Sequence, residues 1–295
     1  MEELSERLME RFRSTGRAEL DAMSLEMAVA VAAEIVGLTE SAQAGMAERL
    51  NRFFAASGSH RGWLSAIAGF AAGQYRMLAF YLRDVRPAIQ ARRKARREEV
   101  ISHLLDQGYS DREILTECLT YGAAGMATTR EFIVMAAWHL FEREDLRRSF
   151  LESDEQARIA LLEEILRLEP VVGALYRRAE RELTLEGEGG PMVIPAGALV
   201  KVDVRAANTD PAVTGACPFK VDARRVVEAS KAPDSLMSFG DGPHRCPGAA
   251  VALQETAIFL DRLLRVPNVH MSRPPTVGWN PLISSYELRG AVIAT

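Results

Sequence analysis

Cys246 stands in a setting suited to gripping a metal. It lies in Phe239-Gly240-Asp241-Gly242-Pro243-His244-Arg245-Cys246-Pro247-Gly248, and small residues (Ala249, Ala250, Ala252) follow. Gly240, Gly242 and Gly248 allow backbone conformations and close approach that a β-carbon would block. Proline at 247 suits the first position of a helix, where its missing amide would have no partner anyway. This spacing predicts Cys246 as a helix N-cap, with helix-end amides aimed at its sulfur. Such a setting suits a thiolate, the form that binds metal. The small residues leave room for a flat, bulky group, and His244 and Arg245 could meet a carboxylate. A phosphate loop would need Gly-Lys-Ser/Thr at the helix start, and none is present.

Two further groupings could do chemistry. In Ala124-Gly125-Met126-Ala127-Thr128-Thr129, small side chains suit a close helix crossing. A threonine hydroxyl there can bond the carbonyl four residues back and open a local bend. Glu164 and Arg167, three apart, share a helix face and can pair, although alone such a pair is as common on a surface. The remaining cysteines, Cys118 and Cys217, leave an odd and sparse set with no Cys-x-x-Cys pair. That argues against a disulfide framework or a zinc ribbon, and both are expected to be inert or simple surface thiols.

The elements that must position these residues are mostly helical. Residues 1–182 read as helices: Leu4, Leu8 and Phe12 recur before Gly16, a second helix runs from an N-cap at Ser24 to Gly37, and a third from Thr39 to near Gly58. A long stretch from Trp63 to Arg97 is broken or kinked at Pro87. The capping box Ser110-x-x-Glu113 opens the longest helix, to about Glu142, and Ser153-x-x-Gln156 opens another that Pro170 ends. Residues 183–213 read as short strands, with a tight turn at Ile194-Pro195-Ala196-Gly197. Residues 214–248 read as an irregular segment ending in the cysteine loop, 249–265 as a helix and 266–295 as strands. The basic run Arg92–Arg97 is read as a solvated face. With 48% hydrophobic and 26% charged residues, the 295-residue chain reads as one globular domain. A net charge of −4 gives no reason to expect nucleic acid. No apolar run is long enough to span a membrane and the start is not signal-like, so a cytoplasmic location is expected.

The cysteine loop resembles the Phe-x-x-Gly-x-His/Arg-x-Cys-x-Gly signature of the cytochrome P450 family at every fixed position, and the other groupings follow in the family's order. The resemblance implies a mainly α fold with small β-sheets, shortened by the family's usual N-terminal quarter. It implies haem b (iron protoporphyrin IX) with Cys246 as iron ligand, donating electron density that favours O–O cleavage. It further implies Phe239, Gly240 and Gly248 packed around the sulfur, His244 and Arg177 on haem propionates, and Ala124 and Gly125 over the ring. Thr128 takes the proton-relay position. Glu164 and Arg167 become a buried structural pair, with Lys220 in place of the usual third-partner arginine. Ala127 occupies the position of the usual relay acid.

The implied activity is a monooxygenase that draws electrons from a ferredoxin and an NAD(P)H-dependent reductase. It would insert one atom of dioxygen into an apolar small molecule. The alternatives are peroxide-driven peroxygenase chemistry and a catalytically silent relative serving as an interaction or activator protein. A partner covering the flank left open by the shortened N-terminus is a further expectation.

Overall fold

The computed structural model describes every residue except 41–44, 47–48, 50–62, 188, 223–224, 226–235 and 282. The expected helix from Thr39 to Gly58 falls mostly outside the described residues. Glu2–Thr15 (α1) buries Leu8, Met9 and Phe12 and ends on Gly16. Arg17–Glu19 forms a short strand (β1), and Leu20–Val36 (α2) follows. The second helix thus starts before Ser24, which is not its N-cap: the buried hydroxyl donates to Leu20 O at 2.7 Å. Its end is as expected. Gly37 has φ +96°, and a β-carbon there would meet the Glu99 carboxylate at 2.4 Å, so both conformation and space require glycine.

The stretch before Pro87 divides into Trp63–Phe80 (α3), a π-turn at Tyr81–Val85, and Arg86–Lys94 (α4). Proline fits the first turn of α4, and the break in the hydrogen-bond ladder falls just ahead of it. Val100–Asp106 (α5) leads to Asp111–Tyr121 (α6), opened by the Ser110/Glu113 capping box with both reciprocal bonds in place. The long helix is interrupted by a second π-turn, Gly122–Met126, before Ala127–Glu142 (α7). Glu144–Glu152 (α8) and Glu155–Leu168 (α9) come next. Here the expected cap is corrected by one residue. Ser153 closes α8, while Asp154 caps α9 by accepting the Ala157 amide at 2.9 Å.

Residues 1–182 are not wholly helical. Besides β1, Ala174–Arg178 forms a strand (β2) that pairs antiparallel with Leu199–Asp203 (β5). The arginine- and glutamate-rich run after 174 has a helical texture, but Gly173 decides the path. A β-carbon there would meet Ser284 O at 2.2 Å, so the backbone runs tightly past that residue and into the ladder. Leu183–Leu185 (β3) and Met192–Ile194 (β4) pair antiparallel, and Gly197 turns the chain at φ +81°, but the strands expected as far as 213 stop at Asp203. Two short helices, Val204–Asn208 (α10) and Pro211–Thr214 (α11), are capped by Asp203 and Asp210. Ala249–Leu264 (α12) and four strands, His270–Arg273 (β6), Thr276–Asn280 (β7), Ser285–Arg289 (β8) and Val292–Ala294 (β9), complete the chain.

Contacts divide the chain into two compact units. One comprises Met1–Val134, Ile258–Arg273 and Ala291–Thr295. Its sheet has the order β1-β9-β6, and its core packs Val29, Ala33, Phe80, Val85, Ile89, Ile101, Ile114 and Met126. Each large side chain so buried is worth about 1.5–3 kcal/mol. The other comprises Met135–Ala257 and Pro274–Gly290 and holds the ladders β2–β5, β3–β4 and β7–β8.

Candidate functional site

In the second unit the cysteine loop is shaped by its glycines. Gly240 and Gly242 adopt φ +70° and +65°, and a single 3-10 turn covers Gly242–His244. The Cys246 amide donates to Phe239 O at 2.8 Å and the Arg245 amide to Gly242 O at 3.0 Å, closing the loop on itself. Cys246, His244 and Arg245 are exposed, and Phe239 is half-buried. Cys246 is not the N-cap of α12. Pro247 and Gly248 form a turn between them, and the Cys246 carbonyl accepts the Ala249 amide at 3.5 Å. A β-carbon on residue 248 would stand 3.9 Å from Cys246 Sγ, so glycine leaves that side of the sulfur uncovered.

The same unit holds a buried charge cluster. Arg167, fully buried, donates to Glu164 from Nε (2.7 Å) and Nη2 (3.1 Å), and to the carbonyls of Asn208, Pro218 and Lys220 at 2.9, 2.8 and 3.2 Å. The third partner is Arg225, not Lys220. Arg225 Nε sits 3.2 Å from both Glu164 oxygens, and its other nitrogens donate to the carbonyls of Thr214, Cys217 and Lys220. Lys220 joins the cluster only through its main-chain carbonyl. The guanidinium fork spans both carboxylate oxygens and three carbonyls, which a single ammonium cannot do.

Asn208, also fully buried, ties this cluster to the loop. Its Oδ1 accepts the Met237 amide at 2.8 Å, and its Nδ2 donates to Ser238 Oγ at 2.8 Å and to Arg167 O at 3.2 Å. Ser238 Oγ in turn donates to Leu166 O at 3.1 Å. The residues before Phe239 are therefore held to the end of α9. Neither Arg225 nor Asn208 was foreseen. Arg225 lies five residues beyond the lysine that drew attention, and Asn208 sits in Asn208-Thr209-Asp210-Pro211, which reads as an ordinary turn.

Arg177 lies on β2, exposed, with Nη1 donating to Tyr176 O at 2.9 Å. The glycine- and threonine-bearing segment belongs to the first unit. The Thr128 hydroxyl donates to Ala124 O, the bond expected of it, and the π-turn opens the helix immediately before. Ala124 is exposed, and a β-carbon on Gly125 would meet nothing within 4 Å, so the helix surface is bare there. Ala127 brings no carboxylate, whereas Glu131, one turn on, is buried. Taken separately, an exposed thiol on a fixed loop and a bare helix surface beside a hydroxyl both suit an iron porphyrin. Cys118 differs from Cys246: burial pushes its thiol up to about 12. Cys217 is exposed.

A family model described as Cytochrome P450 matches residues 159–278, a span holding the Glu164 cluster, Arg177 and the cysteine loop. The chain is 29% identical over 284 residues to the mycinamicin IV hydroxylase/epoxidase of Micromonospora griseorubida, covering 93% of this chain and 66% of that protein. It is 30% identical over 183 residues to cytochrome P450 130 of Mycobacterium tuberculosis, covering 60% of this chain and 42% of that one. It therefore spans two thirds or less of these relatives' lengths. Among solved structures, CYP109B1 from Bacillus subtilis is similar in fold with a TM-score of 0.80 at 22% identity, covering 100% of this chain and 77% of that one. P450BioI, in complex with acyl carrier protein bearing hexadec-9Z-enoic acid, gives 0.78 at 23%, covering 99% and 72%. Among the described residues, no helix is long and apolar enough to cross a membrane.

Proposed function

Because the chain belongs to the cytochrome P450 family, we propose that it acts as a haem-thiolate monooxygenase, inserting one oxygen atom from dioxygen into an apolar small molecule. The observation that carries this reading is the exposed Cys246 thiol on a loop fixed by Asn208 and the Glu164–Arg167–Arg225 cluster. In it Cys246 holds the iron of haem b, with Phe239, Gly240 and Gly248 around the sulfur. His244 and Arg177 meet the propionates, Ala124 and Gly125 present a bare surface to the ring, and Thr128 serves the proton relay. The bound haem supplies oxygen activation, while the chain supplies ligand, pocket and proton path. Electrons come from a ferredoxin and its NAD(P)H-dependent reductase, in the cytoplasm.

The absence of an acid at 127 favours one second reading, peroxide-driven peroxygenase chemistry, which needs no relay for dioxygen. Loaded with haem and reduced, the chain should give the thiolate-type Soret band with carbon monoxide, and Cys246→Ser should abolish or convert it. An unchanged thiolate band in that variant removes Cys246 from the site. A chain that takes up no haem favours a catalytically silent relative instead. Product formation with ferredoxin, reductase and NADPH, set against peroxide alone, separates the two chemistries.

A further inference from the structure

Between Glu117 and Glu142 the sequence contains a single carboxylate, Glu131. It is 1% exposed, and Arg130, 7% exposed, donates to its Oε1 from Nε at 3.1 Å and Nη2 at 3.0 Å. Adjacent residues on a helix do not face each other, so the guanidinium must fold along the axis to reach its neighbour. Burying two charges costs more than a well-packed apolar pair would, so fold stability alone gives little reason for them. Their position supplies another reason. Glu131 lies four residues after Ala127, one turn on along the same face, and three after Thr128, close enough for neighbouring side chains to interact. The Thr128 hydroxyl already donates to Ala124 O, which leaves its oxygen lone pairs to accept.

Resting on the monooxygenase reading above, we propose that Glu131, steadied by Arg130, is the acid that exchanges protons with Thr128, in place of an acid at 127. The Glu131 carboxylate, paired with Arg130, takes up a proton from water and passes it through a second water to the Thr128 oxygen. The threonine's own hydroxyl proton leaves Ala124 O and moves on toward the haem side, where the oxygen chemistry would consume it. Glu131 is then again the carboxylate that pairs with Arg130. No electrons move in these transfers; the ferredoxin supplies them. In this role Glu131 acts through Thr128 and is a positioning and proton-holding residue.

Glu131→Gln should lower product formed per oxygen consumed about tenfold and raise the solvent deuterium isotope effect, with haem content and the carbon monoxide band unchanged. Moving the acid back, in Ala127→Glu/Glu131→Gln, should restore most of the lost yield, which a merely structural Glu131 would not allow. If Glu131→Gln folds poorly, Arg130→Leu/Glu131→Leu removes the pair together and should fold while losing the yield. Unchanged yield in either variant, or a loss that an acid at 127 does not repair, overturns the proposal. A second readout needs no turnover. Thermal midpoints of the full chain for Thr128→Ala, Glu131→Gln and the double variant should be non-additive by about 2 °C or more. Strict additivity overturns the proposal even if the thiolate band is present. Absence of that band overturns the underlying reading instead, so the two failures are distinguishable.

Discussion

Glu255, on α12, is a carboxylate at odds with its surroundings. It is 2% exposed, and its Oε1 meets no hydrogen-bond partner among the described residues. Burial pushes its carboxyl up to about 8, against 4.5 when free. The sign follows from linkage. Between those two values the folded chain keeps a proton that the unfolded chain releases, so this group's contribution to stability is full below about 4.5 and is lost as pH rises toward 8. The slope is at most about 1.4 kcal/mol per pH unit. Glu255→Gln should flatten it, so that urea midpoints of variant and parent diverge steadily from pH 5 to pH 8, the variant being the more stable at the alkaline end. Parallel curves would mean that Glu255 finds a partner when the protein is in solution. The cysteines illustrate what residue-level reading can and cannot reach. The glycine and proline spacing around Cys246 was legible because each neighbour has a conformational reason to be there. Nothing near Cys118 marks it as buried except helical phase.

At the level of elements, some boundaries set by a local device were legible, two expected serine caps (Ser24 and Ser153) were not caps, and an element set by a distant residue was missed. The Ser110/Glu113 box, Gly37 and Pro170 act within a few residues of themselves. Strand β2 was missed because its path is dictated by Ser284, more than a hundred positions away. The same limit hid the third partner of the Glu164–Arg167 pair, since the segment from Pro218 to Arg225 has no periodicity from which to infer which side chain turns inward. The correction is testable. Arg225→Ala leaves a buried carboxylate short of a cation and should cost about 3–5 kcal/mol, whereas Lys220→Ala, which keeps the carbonyl, should cost under about 0.5 kcal/mol. Denaturant midpoints measure both. Equal losses would restore Lys220 to the cluster.

For the molecule as a whole, the proposed function makes haem a ligand of the folded state alone. Haem at a hundredfold excess over its dissociation constant should then stabilise the chain by about 2.7 kcal/mol and raise the melting temperature, with no rise in Cys246→Ser. A rise of equal size in that variant would indicate binding elsewhere. The family and the helix-rich architecture were legible from the cysteine loop and its neighbours; the division into two units, each drawing on separated stretches of chain, was not. One consequence concerns synthesis. Strand β9 lies between β1 and β6, pairing Val292 with Glu19 and Ala294 with Arg17. A ribosome working at about 5–20 residues per second makes β1 tens of seconds before β9 exists. During that interval β1 lacks its neighbour, so the nascent polypeptide carries an unfinished sheet until β9 emerges, and this is the period in which chaperones would have most to shield.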